Sequence, residues 1–377
     1  MFYKRNGEAY MRWALSFLFC VILVIPAYGE LPARASKQLK IAFNNPGFAD
    51  RGFWKDVSDT MQAAAHHFGA DLHIWYGDRT PGKIRENAAE IFDSAIDFDY
   101  IIIVNEYQQL SGFLRKAEQR RIPTLFLLNS VTDQQRQFIG RPGQIFKYWL
   151  GSITPDNDKA GYEMAASLLD FAHARNWQAP YNVLTLGGDN RTPASLERND
   201  GLGRLLSEKT GLREIHRAYT NWSKDQAFDE TNKYLAHAPA PKLIWAANDN
   251  IALGAIAAMT NHKLKAGQDY AIAGLNWSKD GLNAVRNKQF TMTHGGHFFA
   301  GAWAIVALFD HHNNQLLEKE IHFPMEAITL KNIDEFEKKL GTRDWSKIDF
   351  TRFSKTQNKT LTAYDFSLKN LLAATHP

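Results

Sequence analysis

The sequence has almost no cysteine. Its 377 residues contain one, Cys20, which excludes an internal disulfide framework, a cysteine-based zinc cluster and a four-cysteine iron–sulfur site. A large excess of either charge is lacking too, because the sequence has 44 Lys and Arg residues and 40 Asp and Glu residues. That balance gives no argument for a nucleic-acid partner. The 45% hydrophobic content is that of an ordinary globular protein, and at about 150 residues per domain the length predicts two domains.

Long hydrophobic runs are absent apart from one near the start of the chain. Residues 14–26 carry no charge, follow a basic segment and precede the small-residue pattern Ala27-Tyr28-Gly29. This order is typical of a secretory signal peptide, so residues 1–29 are predicted to be one, cleaved near Gly29. A membrane anchor is the weaker alternative, because a helix of this length spans about 20 Å and a bilayer core needs about 30 Å. We therefore expect an exported, periplasmic chain that is not embedded in a membrane once mature.

From residue 39 onward, short β-type runs alternate with segments whose apolar residues recur at helical spacing. The run 100–104 is nearly continuous in β-branched residues, as in a strand buried on both faces. The alternation continues to residue 128 and starts again at residue 160, with a seam near residues 149–154. This pattern predicts an α/β protein with two doubly wound, parallel-sheet lobes.

Polar and aromatic residues follow the predicted strands, where ligands bind in sheets of this kind. These strand-end pairs are Asn105-Glu106, Asn129-Ser130, Asn221-Trp222, Asn248-Asp249 and Asn276-Trp277. Carboxamides hydrogen-bond to hydroxyl groups and flat aromatic faces stack on sugar rings, so a neutral polyhydroxylated ligand is predicted. The alternative is that these residues only form turns.

The pentapeptide Asn-Trp-Ser-Lys-Asp occurs twice, at 221–225 and at 276–280. Each copy follows a predicted strand and opens a predicted helix, with a polar residue available as the helix cap. The repeat either reflects residues that suit such loops or places Trp222 and Trp277 on one wall of a cleft.

Four motifs carry a resemblance to a known family. The most specific is segment 244–256, a strand followed by Asn-Asp and then Ala-Leu-Gly-Ala. The others are the helix start with Arg198 and Gly201, the aromatic pair Phe53-Trp54, and segment 273–276. Together they resemble the type I (sugar-type) periplasmic binding proteins, from about residue 39 to about residue 330. Within that family, the spacing of residues 46–54 and segments 291–294 and 325–340 are most similar to periplasmic autoinducer-2 receptors of the LuxP type.

The resemblance implies two lobes joined by three crossings, near residues 150–154, 291–294 and 323–325. The N-terminal lobe would comprise 38–150 plus 291–323, and the C-terminal lobe 151–290 plus 324–340. Residues 341–377 would form a C-terminal extension, and a ligand would bind between the lobes by hinge closure.

The resemblance and the strand-end pattern together predict the ligand-binding residues. Phe53, Trp54 and Trp222 are expected to stack on the ligand, and Arg198 to donate a forked hydrogen bond to its oxygens. The predicted site comprises Phe53, Trp54, Asn105, Asn129, Arg198, Trp222, Asn248, Asp249, Asn276 and His294. No catalytic residue, metal ligand or cofactor is predicted.

The expected function is capture of a small sugar-like solute for an ABC permease, by a protein that acts as a monomer. The alternative is a co-receptor that senses its ligand and docks on a membrane-bound kinase or cyclase. An enzyme is not favoured, because the chain has no Gly-x-Ser-x-Gly elbow and no phosphate-binding loop. A metal site is not favoured either, because His294 and His297 have no clear third ligand in sequence reach.

Overall fold

The computed structural model describes residues 38–376; the predicted signal peptide and Cys20 lie outside the described residues. The first lobe is built on a six-stranded parallel sheet in the order β11-β5-β4-β3-β1-β2. Its strands are β1 (Lys40–Asn45), β2 (Asp71–Tyr76), β3 (Tyr100–Ile103), β4 (Thr124–Leu127), β5 (Trp149–Pro155) and β11 (Glu320–Phe323). Its helices are α1 (Phe53–Phe68), α2 (Pro81–Asp93), α3 (Leu110–Arg120), α4 (Asp133–Ile139) and α10 (Ala300–His312).

The second lobe is built on another six-stranded sheet, in the order β12-β10-β9-β8-β6-β7. Only the β10–β12 pair is antiparallel. The strands are β6 (Tyr181–Gly187), β7 (Leu212–Tyr219), β8 (Leu243–Ala246), β9 (Ala271–Leu275), β10 (Thr293–Gly295) and β12 (Glu326–Ile328). The helices are α5 (Asn157–Ala174), α6 (Pro193–Glu208), α7 (Lys224–His237), α8 (Asp249–Asn261), α9 (Lys279–Arg286) and α11 (Ile333–Leu340). The predicted fold, two α/β lobes with parallel sheets, is confirmed.

Burial on both faces explains the apolar strands of the first sheet. Along β3, Ile102 packs into one hydrophobic cluster while Ile101 and Ile103 pack into another. Successive strand residues point to opposite faces, so a strand covered by helices on both sides must be apolar throughout. Helix α1 ends at Phe68 and is followed by Gly69, whose φ of 66° is the left-handed conformation that terminates many helices. Within residues 38–376, no helix combines the length and the apolarity needed to cross a membrane.

The sheet memberships locate the crossings between the lobes. All of β5 belongs to the first sheet, so the predicted boundary at residue 150 falls inside a strand and the chain crosses after Pro155. Strand β10 belongs to the second sheet, pairing with β9, so the chain crosses between Gly295 and Ala300 rather than at 291–294. The third crossing lies between Phe323 and Glu326. After α11, two short 3-10 turns (345–347 and 350–353) and α12 (Leu368–Ala374) complete the described chain.

Candidate functional site

Four loops at the carboxyl ends of strands contain two successive non-glycine residues with positive φ. They are Asp78-Arg79 after β2 (49° and 59°), Tyr107-Gln108 after β3 (53° and 58°), Asn221-Trp222 after β7 (45° and 62°) and Asn276-Trp277 after β9 (149° and 51°). A left-handed backbone conformation costs a non-glycine residue roughly 1–2 kcal/mol, and residues in such conformations cluster at functional sites. Two of the loops belong to each lobe, and all four supply side chains to the same cavity.

This cavity lies between the lobes and has a volume of about 490 Å³. Pockets for small molecules have volumes of roughly 300–1,000 Å³. Aromatic rings and carboxamides from both lobes dominate its lining, which includes Phe48, Phe53, Trp54, Tyr107, Trp222, Asn129, Asn221, Asn248, Asn250 and Asn276. Its charged lining groups are Arg51, Arg79, Arg198 and Glu106. The cavity therefore offers flat apolar faces beside many neutral hydrogen-bonding groups.

Arg198 of α6 is held in place by neutral partners. It is only 3% exposed, and its Nε and Nη1 donate to Asn157 Oδ1 and the Ala247 carbonyl, both at 2.9 Å. Burial lowers the pKa of Arg198 to about 10, although Glu197 and Asp249 oppose that effect, so the group stays charged at neutral pH. Within the described residues Nη2 makes no hydrogen bond, which leaves it available to a ligand oxygen.

The ring of Trp222 is fixed from two sides. Its Nε1 donates to Asp189 Oδ2 at 2.7 Å, and its ring centroid lies 5.6 Å from the guanidinium carbon of Arg198. A side chain at Gly188 would place a Cβ 2.3 Å from the ring, so only glycine permits this approach. Burial raises the pKa of Asp189, but hydrogen bonds from Thr192 and others outweigh it and hold that pKa below its usual value. The carboxylate is thus ionised and keeps the indole oriented for stacking.

Glu106 supplies the one carboxylate among the described residues that line the cavity. It is 2% exposed and accepts hydrogen bonds from Arg79 Nη1 at 2.6 Å and from Asn129 Nδ2 at 3.2 Å. Burial raises the pKa of Glu106, and the charge of Arg79 opposes that rise. Glu106 follows Asn105 at the end of β3, so the strand-end pattern marks its position, although only the carboxamide was predicted to bind.

The lobes contact each other directly beside the cavity. The backbone N–H of Ala194, in the second lobe, donates to Asn129 Oδ1 at 3.1 Å. Gln108 Nε2 donates to the carbonyl of Arg191 at 2.9 Å, and the Arg191 guanidinium carbon lies 5.4 Å from the centroid of the Tyr107 ring. These contacts hold the two lobes in a closed arrangement.

Seven of the ten predicted site residues line the cavity: Phe53, Trp54, Asn129, Arg198, Trp222, Asn248 and Asn276. Three do not, namely Asn105, Asp249 and His294. Asn105 is fully buried and donates to the Ser130 carbonyl and Gln135 Oε1, at 2.6 and 2.8 Å. It therefore fastens two first-lobe loops together.

Asp249 and His294 are also engaged by protein groups. Asp249 accepts hydrogen bonds from the backbone and hydroxyl of Ser278 and from the Thr293 hydroxyl, so it ties α8 to two neighbouring segments. His294 Nε2 lies 2.8 Å from Glu163 Oε2 on α5. Trp277, the second tryptophan of the repeat, is 1% exposed and donates to the Glu326 carbonyl at 3.0 Å.

Several residues that line the cavity are not identified by the sequence pattern. Arg79 and Tyr107 occupy left-handed positions that no residue preference marks, and Arg51 lies over the ring of Phe48 at 4.0 Å. His297 stacks on Phe53 with a centroid distance of 4.4 Å. Burial, with Arg198 and His294 nearby, lowers the pKa of His297 well below its usual value, so the ring is neutral. Its position at a crossing between lobes is the signal that would have identified it.

Comparison with known proteins identifies the family to which the chain belongs. Residues 41–315 match the family model described as "Periplasmic binding protein domain". A periplasmic sugar-binding protein from Pseudomonas fluorescens is 29% identical, with a TM-score of 0.79 over 89% of this chain and 99% of that chain. An ABC transporter periplasmic solute binding protein from Actinobacillus succinogenes, with bound D-allose, is 20% identical, with a TM-score of 0.69 over 79% and 99%. The periplasmic binding protein component of the arabinose ABC transporter from Shewanella sp. ANA-3, bound to L-arabinofuranose, is 18% identical, with a TM-score of 0.69 over 81% and 96%. Among curated proteins, none matches the sequence. Because the family match spans well over half of the residues, the chain belongs to the periplasmic binding protein domain family.

Proposed function

We propose that the protein captures a small polyhydroxylated, sugar-like ligand in the cavity and delivers it to an ABC importer. The observation that carries this proposal is the lining itself, in which both lobes contribute aromatic rings and carboxamides to one cavity. Aromatic faces suit the C–H faces of a sugar ring, and carboxamides both donate to and accept from hydroxyl groups. The sugars in the solved structures from Actinobacillus and Shewanella support the same ligand class.

The ionic contacts of the cavity favour a neutral ligand. Arg79 is already paired with Glu106, and Arg51 lies 3.0 Å from Asp50. Arg198 then acts as a hydrogen-bond donor to hydroxyl oxygens, oriented in advance by its two neutral partners. A ligand gripped in this way touches both lobes, so its binding energy stabilises the closed arrangement over an open one.

We also propose that the chain is exported to the periplasm through cleavage of residues 1–29 and acts there as a monomer. The family to which it belongs and the composition of its N-terminal segment support this placement. The proposed partners are therefore a sugar-like solute and an inner-membrane permease.

A thermal-shift screen tests ligand capture. The panel contains D-allose, D-ribose, D-galactose, L-arabinose, myo-inositol and autoinducer-2, each applied to protein freed of carried-over ligand by unfolding and refolding. A sugar at one hundred times its Kd adds about 2.7 kcal/mol of stability, a shift of a few degrees. We expect Trp222→Ala to abolish the shift and Trp177→Ala, a partly buried tryptophan outside the cavity, to retain it. Folded protein that responds to no member of the panel would contradict the proposal.

Uptake of the radiolabelled sugar by cells tests delivery. Cells that lack the gene should lose uptake, recover it with the wild-type chain and fail to recover it with Trp222→Ala. Tight binding in vitro combined with unchanged uptake in the deletion strain would contradict the importer role and favour a sensing one.

A further inference from the structure

The chain after α11 (341–376, the C-terminal segment) is part of the folded core of the first lobe. Phe353 and Phe366 are buried, and their ring centroids lie 4.7 and 4.5 Å from that of Trp303 on α10. Trp345 is buried against two further phenylalanines. Helix α10 is therefore covered by this segment on a face that would otherwise expose aromatic surface.

A buried carboxylate fixes the C-terminal segment to α10. Asp310 Oδ1 accepts hydrogen bonds from the Ser354 hydroxyl at 2.5 Å and from the Thr356 backbone at 2.9 Å. Its Oδ2 accepts from the Lys355 backbone at 2.7 Å and from the Tyr364 hydroxyl at 3.1 Å. Because all four donors belong to the segment, this charge is satisfied only when the segment is docked.

Both ends of the C-terminal segment are held by the second lobe. The segment begins at the end of α11, where Phe336 packs against Trp277 with a centroid distance of 5.0 Å. It returns to the same helix at its far end, where Lys339 Nζ donates to the Thr375 carbonyl at 3.0 Å. The segment therefore leaves the second lobe, docks on the first and comes back.

Arg343 bridges the lobes where the segment first crosses. Its Nη1 donates to the Trp277 carbonyl of the second lobe at 3.1 Å, and its Nη2 lies 2.8 Å from Asp56 Oδ2 on α1 of the first lobe. The guanidinium carbon is also 5.0 Å from the centroid of the Phe298 ring and 5.3 Å from that of Trp345. One side chain thus contacts both lobes and the crossing between β10 and α10.

That same crossing lines the ligand cavity. Phe298, which Arg343 covers, is preceded by His297, which lines the cavity and stacks on Phe53. A change in the angle between the lobes must move Trp277 relative to Asp56. The Arg343 guanidinium keeps its contacts to both residues at only one distance between them.

We propose that the C-terminal segment is a clasp across the hinge, in which Arg343 stabilises the closed arrangement and so raises ligand affinity without touching the ligand. This inference rests on the proposed function for its effect on affinity, but its effect on lobe opening does not. Arg343 is a positioning residue, and it acts through the crossing that carries His297.

Small-angle X-ray scattering of the sugar-free protein tests the clasp directly. We expect Arg343→Ala to have a larger radius of gyration than wild type. Arg352→Ala is the matched control, because it removes the same charge from an exposed position of the same segment. Isothermal titration with D-allose, L-arabinose and myo-inositol should show roughly tenfold weaker binding for Arg343→Ala and an unchanged affinity for the control.

The outcomes separate the clasp from the proposed function. Arg343→Ala with the radius of gyration and affinity of the control would overturn the clasp alone. Failure of every sugar to bind wild type would overturn the proposed function, while scattering would still decide on the clasp. If Arg343→Ala does not fold, Asp56→Asn breaks the same ion pair from the first lobe and must give the same expansion.

Discussion

Replacing Asp249 with asparagine should change the pH dependence of stability and leave ligand affinity unchanged. The carboxylate is fully buried, and its oxygens accept from Ser278 on one side and from the Thr293 hydroxyl on the other. An asparagine fits this place, because its carbonyl oxygen can face Ser278 while its amide donates to Thr293, whose hydroxyl rotates to accept. The substitution therefore removes the charge while Ser278 and Thr293 both keep a hydrogen bond to residue 249.

The magnitude follows from the pKa of Asp249. Burial raises that pKa from 3.8 to about 6, against the opposing hydrogen bonds from Ser278 and Thr293. Between these two values the native state holds a proton that the unfolded chain has released, so the free energy of unfolding falls as pH rises. A difference of about two in pKa corresponds to about 3 kcal/mol. Since asparagine does not titrate, Asp249→Asn should gain about 3 kcal/mol over wild type between pH 3.5 and pH 7.

Urea unfolding followed by tryptophan fluorescence at pH 3.5, 4.5, 5.5 and 7 measures this difference. A difference between variant and wild type that stays constant across the range would refute the reasoning. Sugar affinity gives a second check, because Asp249 does not line the cavity and the variant should bind within threefold of wild type. A loss greater than tenfold would place Asp249 among the ligand contacts.

Four further substitutions test separate parts of the structure. Trp222→Phe should weaken sugar binding measured by titration calorimetry, because the ring loses the hydrogen bond to Asp189 that orients it. Trp277→Phe, which loses the hydrogen bond to the Glu326 carbonyl, should lower Tm and leave sugar affinity within threefold of wild type. Glu106→Gln should lower the free energy of unfolding in urea by about 2 kcal/mol, since it leaves the partly buried Arg79 without its ionic partner; an unchanged value would mean that the pair is not needed. Phe366→Ala should cost about 3 kcal/mol in the same assay, and a cost under 1 kcal/mol would contradict a docked C-terminal segment.

The two-lobe fold follows from the sequence because the central strands of both sheets, β3, β4, β8 and β9, are almost entirely apolar. The strands that escaped prediction lie at the sheet edges or at the crossings. Strand β10 has three residues, Thr-His-Gly, and exists because β9 and β12 pair with its backbone on either side. Strand β5 contains Gly151, where a side chain would place a Cβ 2.1 Å from the carbonyl of Lys319. Backbone partners distant in sequence determine these strands, and local residue preference does not reveal such partners.

The cavity was only partly predictable for a related reason. Asn105 and Asn129 follow neighbouring parallel strands, yet one is used to join loops and the other reaches both the cavity and the second lobe. The difference arises after β3, where the chain turns through Tyr107 and Gln108 in left-handed conformations. Neither residue type favours that conformation, so the turn that presents Glu106 and Tyr107 to the cavity is imposed by tertiary packing.

The repeated pentapeptide shows how far local sequence can determine a site. In both copies the tryptophan is left-handed and the following serine caps a helix through its hydroxyl, whereas the φ of the asparagine differs, at 45° for Asn221 and 149° for Asn276. Their surroundings then separate the two rings. Trp222 follows β7, the edge strand of its sheet, and its ring reaches the cavity. Trp277 follows β9, which has neighbours on both sides, and its ring is enclosed by the crossing segment and α11. Identical residues thus give the same tryptophan conformation and the same helix cap, and the position of the parent strand in the sheet decides which tryptophan lines the cavity and which one packs against the crossing.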